Sequence, residues 1–213
     1  MKKRIEKDKL KLSEVQREIL IGKLLGDGHL ETNNGITYRL KIEHSIKQQD
    51  YVQWLYQNFK DWVLTPPKIK TKFLNDKTYQ NIWFNTVFHI AFRYYGKQFY
   101  QDKQKVVPKY ISRILKSRAM AVWFMDDGSI KSQHHRALIL NTQGFLIKDQ
   151  KLLQNALLSK WQIESSLRKQ KEGWQILITG ESAIKFAQII IPYLLPSFDY
   201  KLGKIGLTLL PKM

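Results

Sequence analysis

The residues best suited to chemistry in this sequence are two aspartates that end two apolar segments. Asp27 and Asp127 lie 100 residues apart, and each is followed directly by a glycine. If the apolar segments are helices, both carboxylates lie at helix C-termini, where partial negative charge disfavours an anion by about 0.3–1 kcal/mol. A carboxylate beside free carbonyl oxygens suits Mg²⁺ or Ca²⁺ instead. We therefore predict that both aspartates bind divalent metal. If the helices pack side by side, they would share a two- or three-metal site for phosphodiester hydrolysis.

Each aspartate is placed by a predicted helix. The first helix covers residues 13–26, where Ser13 can cap the N-terminus and Gln16 completes a capping box. The second covers residues 117–128, and Ser117 can cap it. Gly22 and Gly26 leave a smooth face on the first helix that permits close approach of another helix. An Asp-Gly pair simply ends many helices, but two copies at matched positions in a basic chain favour the metal site.

The remaining elements give the order helix-strand-strand-helix-strand-strand-helix twice. In the first half, Asn33-Asn34-Gly35 predicts a hairpin, and alternation of apolar and polar residues predicts a strand over 38–43. The other elements of this half are a helix over 49–62, strands over 68–74 and 79–85 around a turn at 75–77, and a helix over 87–95 that Gly96 ends. The second half has a strand over 137–141, a helix over 148–161, strands over 164–169 and 174–179, and a helix over 182–191.

An internal duplication of about 100 residues explains this repeated order. Tyr56-Gln57-Asn58 resembles Leu153-Gln154-Asn155, and Trp62 matches Trp161, at offsets close to that between the two aspartates. The chain then divides into a basic N-terminal segment (1–12), a first half (13–112) and a second half (113–213). Two unrelated α+β domains are the alternative. A duplicated basic unit suits a pseudo-two-fold partner such as duplex DNA.

The charge of the chain points to a polyanionic partner. Lys and Arg number 36 against 18 Asp and Glu, a formal net charge of +18. Nucleic acid is the usual partner for such an excess, because binding releases counterions from the phosphates. An anionic membrane surface or a merely soluble basic protein is the alternative. The absence of cysteine excludes disulfides, thiolate zinc sites and a cysteine nucleophile.

The segments 20–28 and 120–128 resemble the paired motifs of the LAGLIDADG homing endonucleases. Three residues depart from the motif: Lys23 and Asp126 stand where small or apolar residues are common, and Val122 stands where glycine is common. The subgroup that contains the yeast mitochondrial omega-intron endonuclease is the most similar. The segments similar to that subgroup are Trp123-Phe124-Met125-Asp126-Asp127-Gly128, Leu140-Asn141-Thr142-Gln143, Pro192-Tyr193-Leu194 and Tyr200-Lys201-Leu202.

This resemblance implies an α+β fold of two pseudo-symmetric αββαββα halves, with antiparallel saddle-shaped sheets and a central pair of motif helices. It implies a monomeric enzyme that cuts both strands of a long DNA site and leaves short 3′ overhangs. Mg²⁺ is the implied cofactor, with Mn²⁺ as a substitute and Ca²⁺ supporting binding without cleavage. Asp27 and Asp127 are the implied metal ligands, and Gly26 and Asp126 can add backbone carbonyls.

The resemblance also implies further catalytic residues. Lys105 and Lys201 lie in segments similar to those that place a basic residue near each scissile phosphate in the subgroup. They would organise water or stabilise charge in the transition state. Glu43 and Asn141, at the ends of the first major strands, are weaker matches to polar residues that position solvent or metal.

Outward-facing side chains of the strands are the expected DNA contacts. Alternation places one face of a strand on the helices and the other outward, and Arg, Lys and Gln read base edges or hold phosphates. The candidates are Arg39, Lys41, Lys68, Lys70, Lys72, Lys131, Gln133, His135, Arg168 and Gln170. Because the two halves differ at these positions, we expect an asymmetric target.

Two other functions fit the same fold. One is a maturase that assists splicing of intron RNA, and the other is a nuclease-inactive DNA-binding regulator. The two aspartates argue against the regulator, because a pure binder gains nothing from acidic groups beside phosphates. The expected partner is double-stranded DNA or intron RNA rather than a membrane. The expected location is intracellular, in an organelle or a bacterial cytoplasm.

Overall fold

A computed structural model describes residues 6–74 and 76–209 of the chain. Residues 1–5 of the basic N-terminal segment, Asn75 of the predicted turn and residues 210–213 of the second half lie outside the described residues. The fold is α+β with antiparallel sheets, and the order αββαββα occurs twice, as the sequence predicts.

Most helices and strands follow the predicted elements, but the helix predicted over 87–95 is α-helical only over Arg93–Phe99, after a 3₁₀ turn at Ile90–Phe92. The first half contains α1 (Glu14–Leu25), β1 (His29–Glu31), β2 (Arg39–Ser45), α2 (Gln49–Phe59), β3 (Lys68–Leu74), β4 (Lys77–Asn85) and α3 (Arg93–Phe99). A hairpin of β5 (Tyr100–Gln101) and β6 (Gln104–Lys105) and the helix α4 (Ile111–Ile114) follow. The second half contains α5 (Ser117–Asp127), β7 (Gly128–Ile130), β8 (Ala137–Leu140), α6 (Ile147–Trp161), β9 (Ser166–Gln170), β10 (Gly173–Thr179), α7 (Gly180–Ile190), a 3₁₀ segment (Pro196–Leu202) and α8 (Gly203–Leu209). None of the helices that the structure describes has the length and apolar character needed to cross a membrane.

The described residues form two compact units. The first unit contains residues 6–17 and 27–97, and the second contains residues 18–26 and 98–209. Helix α1 therefore begins in the first unit, while its C-terminal part, from Glu18 onward, belongs with α5 to the second.

The sheet of the first unit has the strand order β1-β2-β4-β3 and is antiparallel throughout. Leu40 and Ile42 on β2 and Phe84 on β4 are buried on one face, where α2 packs. The alternation predicted for β2 is thus confirmed. The expectation that the apolar face of β3 is buried is wrong. β3 is an edge strand, and its apolar residues Ile69 and Phe73 are 58% and 72% exposed.

The sheet of the second unit has the equivalent order β7-β8-β10-β9. All four residues of β8 are buried, so its apolar run Ala-Leu-Ile-Leu reflects burial on both faces. The register also relates the two sheets. Continuing the pairing of His29 with Lys41 places Glu43 opposite residue 27, and continuing the pairing of Gly128 with Leu140 places Asn141 opposite residue 127.

The helix ends agree with the sequence at α1 and differ at α3 and α5. The Ser13 amide donates to Gln16 Oε1 at 3.0 Å and the Gln16 amide donates to Ser13 Oγ at 3.2 Å, so the capping box is confirmed. The prediction that Ser117 caps α5 is wrong. Because α4 ends just before α5, Lys116 is the N-cap residue, in an extended backbone conformation, and Ser117 is already helical. Gly96 lies inside α3 rather than ending it, because the Tyr38 ring packs on its Cα; a Cβ there would lie 2.4 Å from that ring.

Candidate active site and nucleic-acid interface

The C-terminal part of α1 packs tightly against α5 within the second unit. A Cβ on Gly22 would lie 2.5 Å from the carbonyl oxygen of Ala119 and 2.6 Å from Cβ of Val122. A Cβ on Gly26 would lie 2.5 Å from Cβ of Asp126. Glycine at these two positions therefore permits the close approach of the two motif helices, as the smooth face predicted.

A buried ion pair joins the same two helices. Lys23 Nζ lies 2.8 Å from Asp126 Oδ1, and both side chains are 0% exposed. Asp126 as a whole is half-buried, so its accessible part is the main chain. Its carboxylate thus faces Lys23 and Gly26, while its carbonyl oxygen lies at the helix end.

Asp127 follows directly at the end of α5, and Asn141 fixes its backbone. The Asn141 amide nitrogen and its Nδ2 both donate to the carbonyl oxygen of Asp127, at 2.9 and 2.8 Å. Gln175 Nε2 donates to Asn141 Oδ1 at 2.6 Å, which orients the side-chain amide of Asn141. The structure therefore brings Asn141 to Asp127, two of the residues that the sequence selected.

The two candidate lysines contact equivalent carbonyl groups in the second unit. Lys105 Nζ donates to the carbonyl of Gly26 at 2.5 Å, the residue directly before Asp27 in the chain. Lys201 Nζ donates to the carbonyls of Met125 and Asp126 at 2.6 and 3.2 Å, directly before Asp127. The last carbonyls of a helix carry partial negative charge, so an ammonium group is favourable there.

In the first unit, Asp27 is accessible and Glu43 is held by hydrogen bonds. The Asp27 side chain is 52% exposed, and its Oδ2 lies 3.9 Å from Nδ1 of the buried His44. Glu43 accepts hydrogen bonds from Lys70 Nζ and from Asn81 Nδ2. Partial burial raises the pKa of Glu43, but these hydrogen bonds and the positive charge of Lys70 and Lys72 outweigh it, so its pKa is lowered.

The five basic candidates of the first unit share the sheet face opposite α2. In the strand register, Lys68 and Glu43 both lie opposite Trp83 of β4, and Lys70 lies opposite Asn81. These side chains are therefore on the same face of the sheet. Glu31 on β1 accepts from Arg39 at 2.8 Å and forms an ion pair with Lys41 at 3.3 Å. Partial burial raises the pKa of Glu31, but these two basic residues lower it further than burial raises it. The residues on this face are Arg39, Lys41, Lys68, Lys70 and Lys72.

The candidates of the second unit lie on a strand and in a loop. Arg168 and Gln170 on β9 share one face with Gln175 on β10, because Arg168 pairs with Gln175. The other three lie after β7, in the connection to β8, where His135 Nδ1 is 2.6 Å from Ser132 Oγ. These three are Lys131, Gln133 and His135.

Some residues of these clusters were not selected from the sequence. His44 and Gln175 gave no separate signal, although the alternation of β2 does predict that His44 faces inward. Lys23 and Asp126 depart from the family motif, and Asp126 is also one of the expected metal ligands. The opposite charges of Lys23 and Asp126 are the feature of the sequence that indicates an ion pair between them.

Comparison with known proteins identifies the family. Residues 17–186 match the model of the LAGLIDADG DNA endonuclease family. The chain belongs to this family. The expected fold of the LAGLIDADG homing endonucleases is thereby confirmed, and both Asp-Gly helix ends lie within the matched residues.

Relatives and a solved structure cover most of this LAGLIDADG chain. The probable intron-encoded endonuclease 1 of Wickerhamomyces canadensis is 29% identical over 199 residues, covering 90% of this chain and 85% of that protein. The cytochrome b mRNA maturase bI2 of Saccharomyces cerevisiae is 32% identical over 203 residues, covering 87% of this chain but 46% of the maturase. The homing endonuclease I-WcaI, solved bound to its DNA recognition sequence, has a TM-score of 0.87 at 27% identity, covering 92% of this chain and 89% of that one.

Proposed function

We propose that the chain is a homing endonuclease that cuts both strands of a long DNA site by metal-dependent hydrolysis. The observation that carries this proposal is the matched pair of helix ends. Each ends in a carboxylate at equivalent repeat positions, and each has a lysine ammonium on the carbonyl directly before that carboxylate. The family match and the similarity to I-WcaI, which was solved on its recognition DNA, support the same substrate class.

The residues at the helix ends fit a hard divalent cation. Asp27 and Asp127 offer carboxylate oxygens, and Gly26 and Asp126 offer backbone carbonyl oxygens, which are the donor types that Mg²⁺ prefers. Asp27 is accessible to an ion from solvent, at 52% exposure of its side chain. A bound divalent ion would polarise the phosphate and make an attacking water more acidic.

The side chains around the aspartates have separate tasks in this proposal. Lys105 and Lys201 hold a positive charge beside each helix end, where it can stabilise charge that develops on the phosphate or orient a water. Asn141 keeps the backbone of Asp127 in place through two hydrogen bonds. Glu43 is ionised at neutral pH, its pKa being lowered further from the ordinary value, and it can position solvent in the first half.

The basic faces of the two sheets would hold the DNA. The first unit offers five cations on one face, whereas β9 of the second unit offers Arg168 and Gln170. Cations neutralise phosphates, and Arg, Lys and Gln can also read guanine and adenine edges. The difference between the two faces supports an asymmetric target.

A second candidate function is a maturase activity on intron RNA. The specific support is the 32% identity to a cytochrome b mRNA maturase, of which this chain spans about half. One chain can have both activities, because splicing assistance does not require Asp27 and Asp127 as metal ligands. The intron-encoded relatives also favour an intracellular location, and we propose that the chain acts as a monomer.

The experiment that tests the proposed function is incubation with a randomised duplex library, followed by sequencing of cut ends. We expect one long, partly asymmetric site, cut with Mg²⁺ or Mn²⁺ into staggered 3′ ends and bound without cutting in Ca²⁺. DNA that is bound but uncut under every metal would contradict the endonuclease and favour the regulator. Selection of intron RNA but no DNA would favour the maturase.

A further inference from the structure

Two residues of α1 and the glycine directly after it contact their own repeat equivalents on α5. The two residues of each contact are 100 positions apart in the chain, yet they differ in charge or size. We call these six positions, together with Lys23, the seam. The three contacts are Glu18 with Arg118, Gly22 with Val122 and Gly26 with Asp126.

The seam carries two ion pairs, one toward each end. Arg118 Nη1 lies 2.9 Å from Glu18 Oε2, with both side chains largely buried, and the guanidinium also covers the Tyr193 ring at 4.8 Å. Lys23, directly after Gly22, pairs with Asp126, and both of these side chains are fully buried. The carboxylate of Asp126 fits because Gly26 has no side chain.

Pairing of like helices would break every one of these contacts. Two copies of α1 would oppose Glu18 to Glu18 and would bury each Lys23 without the carboxylate that Asp126 provides. Two copies of α5 would oppose Arg118 to Arg118, and Asp126 to Asp126 at the position that requires glycine. Burial of a charge without its partner is strongly destabilising, and like charges in contact add repulsion.

We propose that the seam is a set of complementary contacts that pairs α1 with α5 and disfavours the pairing of like helices, α1 with α1 or α5 with α5, from two copies of the chain. The duplication makes such complementary contacts necessary, because two similar helices with similar apolar faces can also pair each with its own kind. Buried ion pairs contribute little net stability compared with apolar residues of similar size, but in some proteins they specify which helices pair. The departures Lys23, Val122 and Asp126 from the family motif, together with Glu18 and Arg118, are then the residues that distinguish the two helices.

The first test neutralises the seam in the full-length chain. The variant Glu18→Gln/Lys23→Met/Arg118→Gln/Asp126→Ala is refolded from denaturant at increasing concentration and its mass is measured by light scattering. A matched control, Glu6→Gln/Lys9→Met, removes an exposed ion pair outside the seam, with side chains 66% and 82% exposed. We expect the wild type and the control to keep the 25.3 kDa mass of one chain. The seam variant should form a species of twice that mass, and its share should rise with concentration.

A folded seam variant that keeps the mass of one chain at every concentration would overturn the proposal. If the seam variant does not fold, the proposal is tested instead by exchanging the charges of Glu18 and Arg118. Glu18→Arg and Arg118→Glu each oppose like charges, so each should lower the Tm by about 5–10 °C. The double variant Glu18→Arg/Arg118→Glu restores an opposite pair and should recover most of that loss. A double variant no more stable than the weaker single variant would equally overturn the proposal.

Discussion

The Nζ atom of Lys105 lies 2.5 Å from the carbonyl oxygen of Gly26. Lys201 makes the equivalent contact with the carbonyl of Asp126, the repeat equivalent of Gly26. The two lysines lie on dissimilar elements, since Lys105 is on β6 and Lys201 is in a 3₁₀ segment. Two lysines on dissimilar elements thus make the same contact, which supports the same role for both lysines at the two helix ends.

Removal of either ammonium group should slow cleavage without preventing DNA binding. We expect Lys105→Met and Lys201→Met each to lower the rate of cutting of one strand by about 100-fold, because charge that develops on the phosphate loses its stabilisation. The rates are measured on a duplex labelled differently on each strand, and binding is measured in Ca²⁺. Lys109→Met, at an exposed lysine four residues from Lys105, is the control. Full activity of both variants would remove this role from the lysines.

Alanine in place of Gly22 should destabilise the protein even though alanine is the better helix former. Helix propensity alone would stabilise the variant by about 1 kcal/mol. The added Cβ would lie 2.5 Å from a backbone oxygen, however, so the helices must separate, and overpacking of this kind costs about 1–3 kcal/mol. Gly144→Ala is the control, because its Cβ would meet no atom within 4 Å. Urea denaturation of the two variants measures the difference, and equal stability would contradict the packing described for the seam.

The pair of Glu43 with Lys70 should make part of the stability depend on pH. The pKa of Glu43 is lowered in the folded protein, so its contribution is present above the unfolded pKa, near 4.5. That contribution is lost as the pH falls through the lower folded pKa. Glu43→Gln should therefore lower the Tm at pH 7 and have a smaller effect at about pH 3. Thermal unfolding of wild type and variant at both pH values measures this, and a pH-independent difference would contradict the assignment.

Single cations of the basic sheet face should contribute to DNA binding in a salt-dependent way. Lys72 is exposed on the outer face of β3, so Lys72→Ala should reduce the slope of log affinity against log salt by about 1 if it contacts a phosphate. Lys148→Ala, at an exposed position on α6, should leave the slope unchanged. Binding titrations in Ca²⁺ over a range of salt concentrations provide the slopes. Equal slopes for both variants would exclude Lys72 from the interface.

Local signals in the sequence predicted most of the fold. The Ser13–Gln16 capping box, the hairpin at Asn34-Gly35 and the alternation along β2 are each encoded within a few residues, and each is found in the structure. The repeat was visible because the duplication kept both the Asp-Gly ends and the order of elements. The pairing of the strands then follows from that order.

The errors arose where distant residues decide the outcome. The sequence predicts that Gly96 ends a helix, but Gly96 lies inside α3. Its lack of a side chain leaves room for the ring of Tyr38, which is far away in the sequence. β3 is exposed on both faces because it is the edge strand of a sheet in which α2 packs on β2 and β4, and alternation within β3 does not contain this information. Lys23 and Asp126 are 103 residues apart and lie on different helices, so no local pattern could assign their pairing.

The measurement that tests the central claim most directly is strand-resolved cleavage by Asp27→Asn and Asp127→Asn. The amide keeps the shape of the side chain but removes the charge that a divalent ion requires. We expect each variant to bind the target in Ca²⁺ about as well as the wild type and to lose double-strand cutting in Mg²⁺. Double-strand cutting at the wild-type rate by either variant would contradict the assignment of the two aspartates as metal ligands.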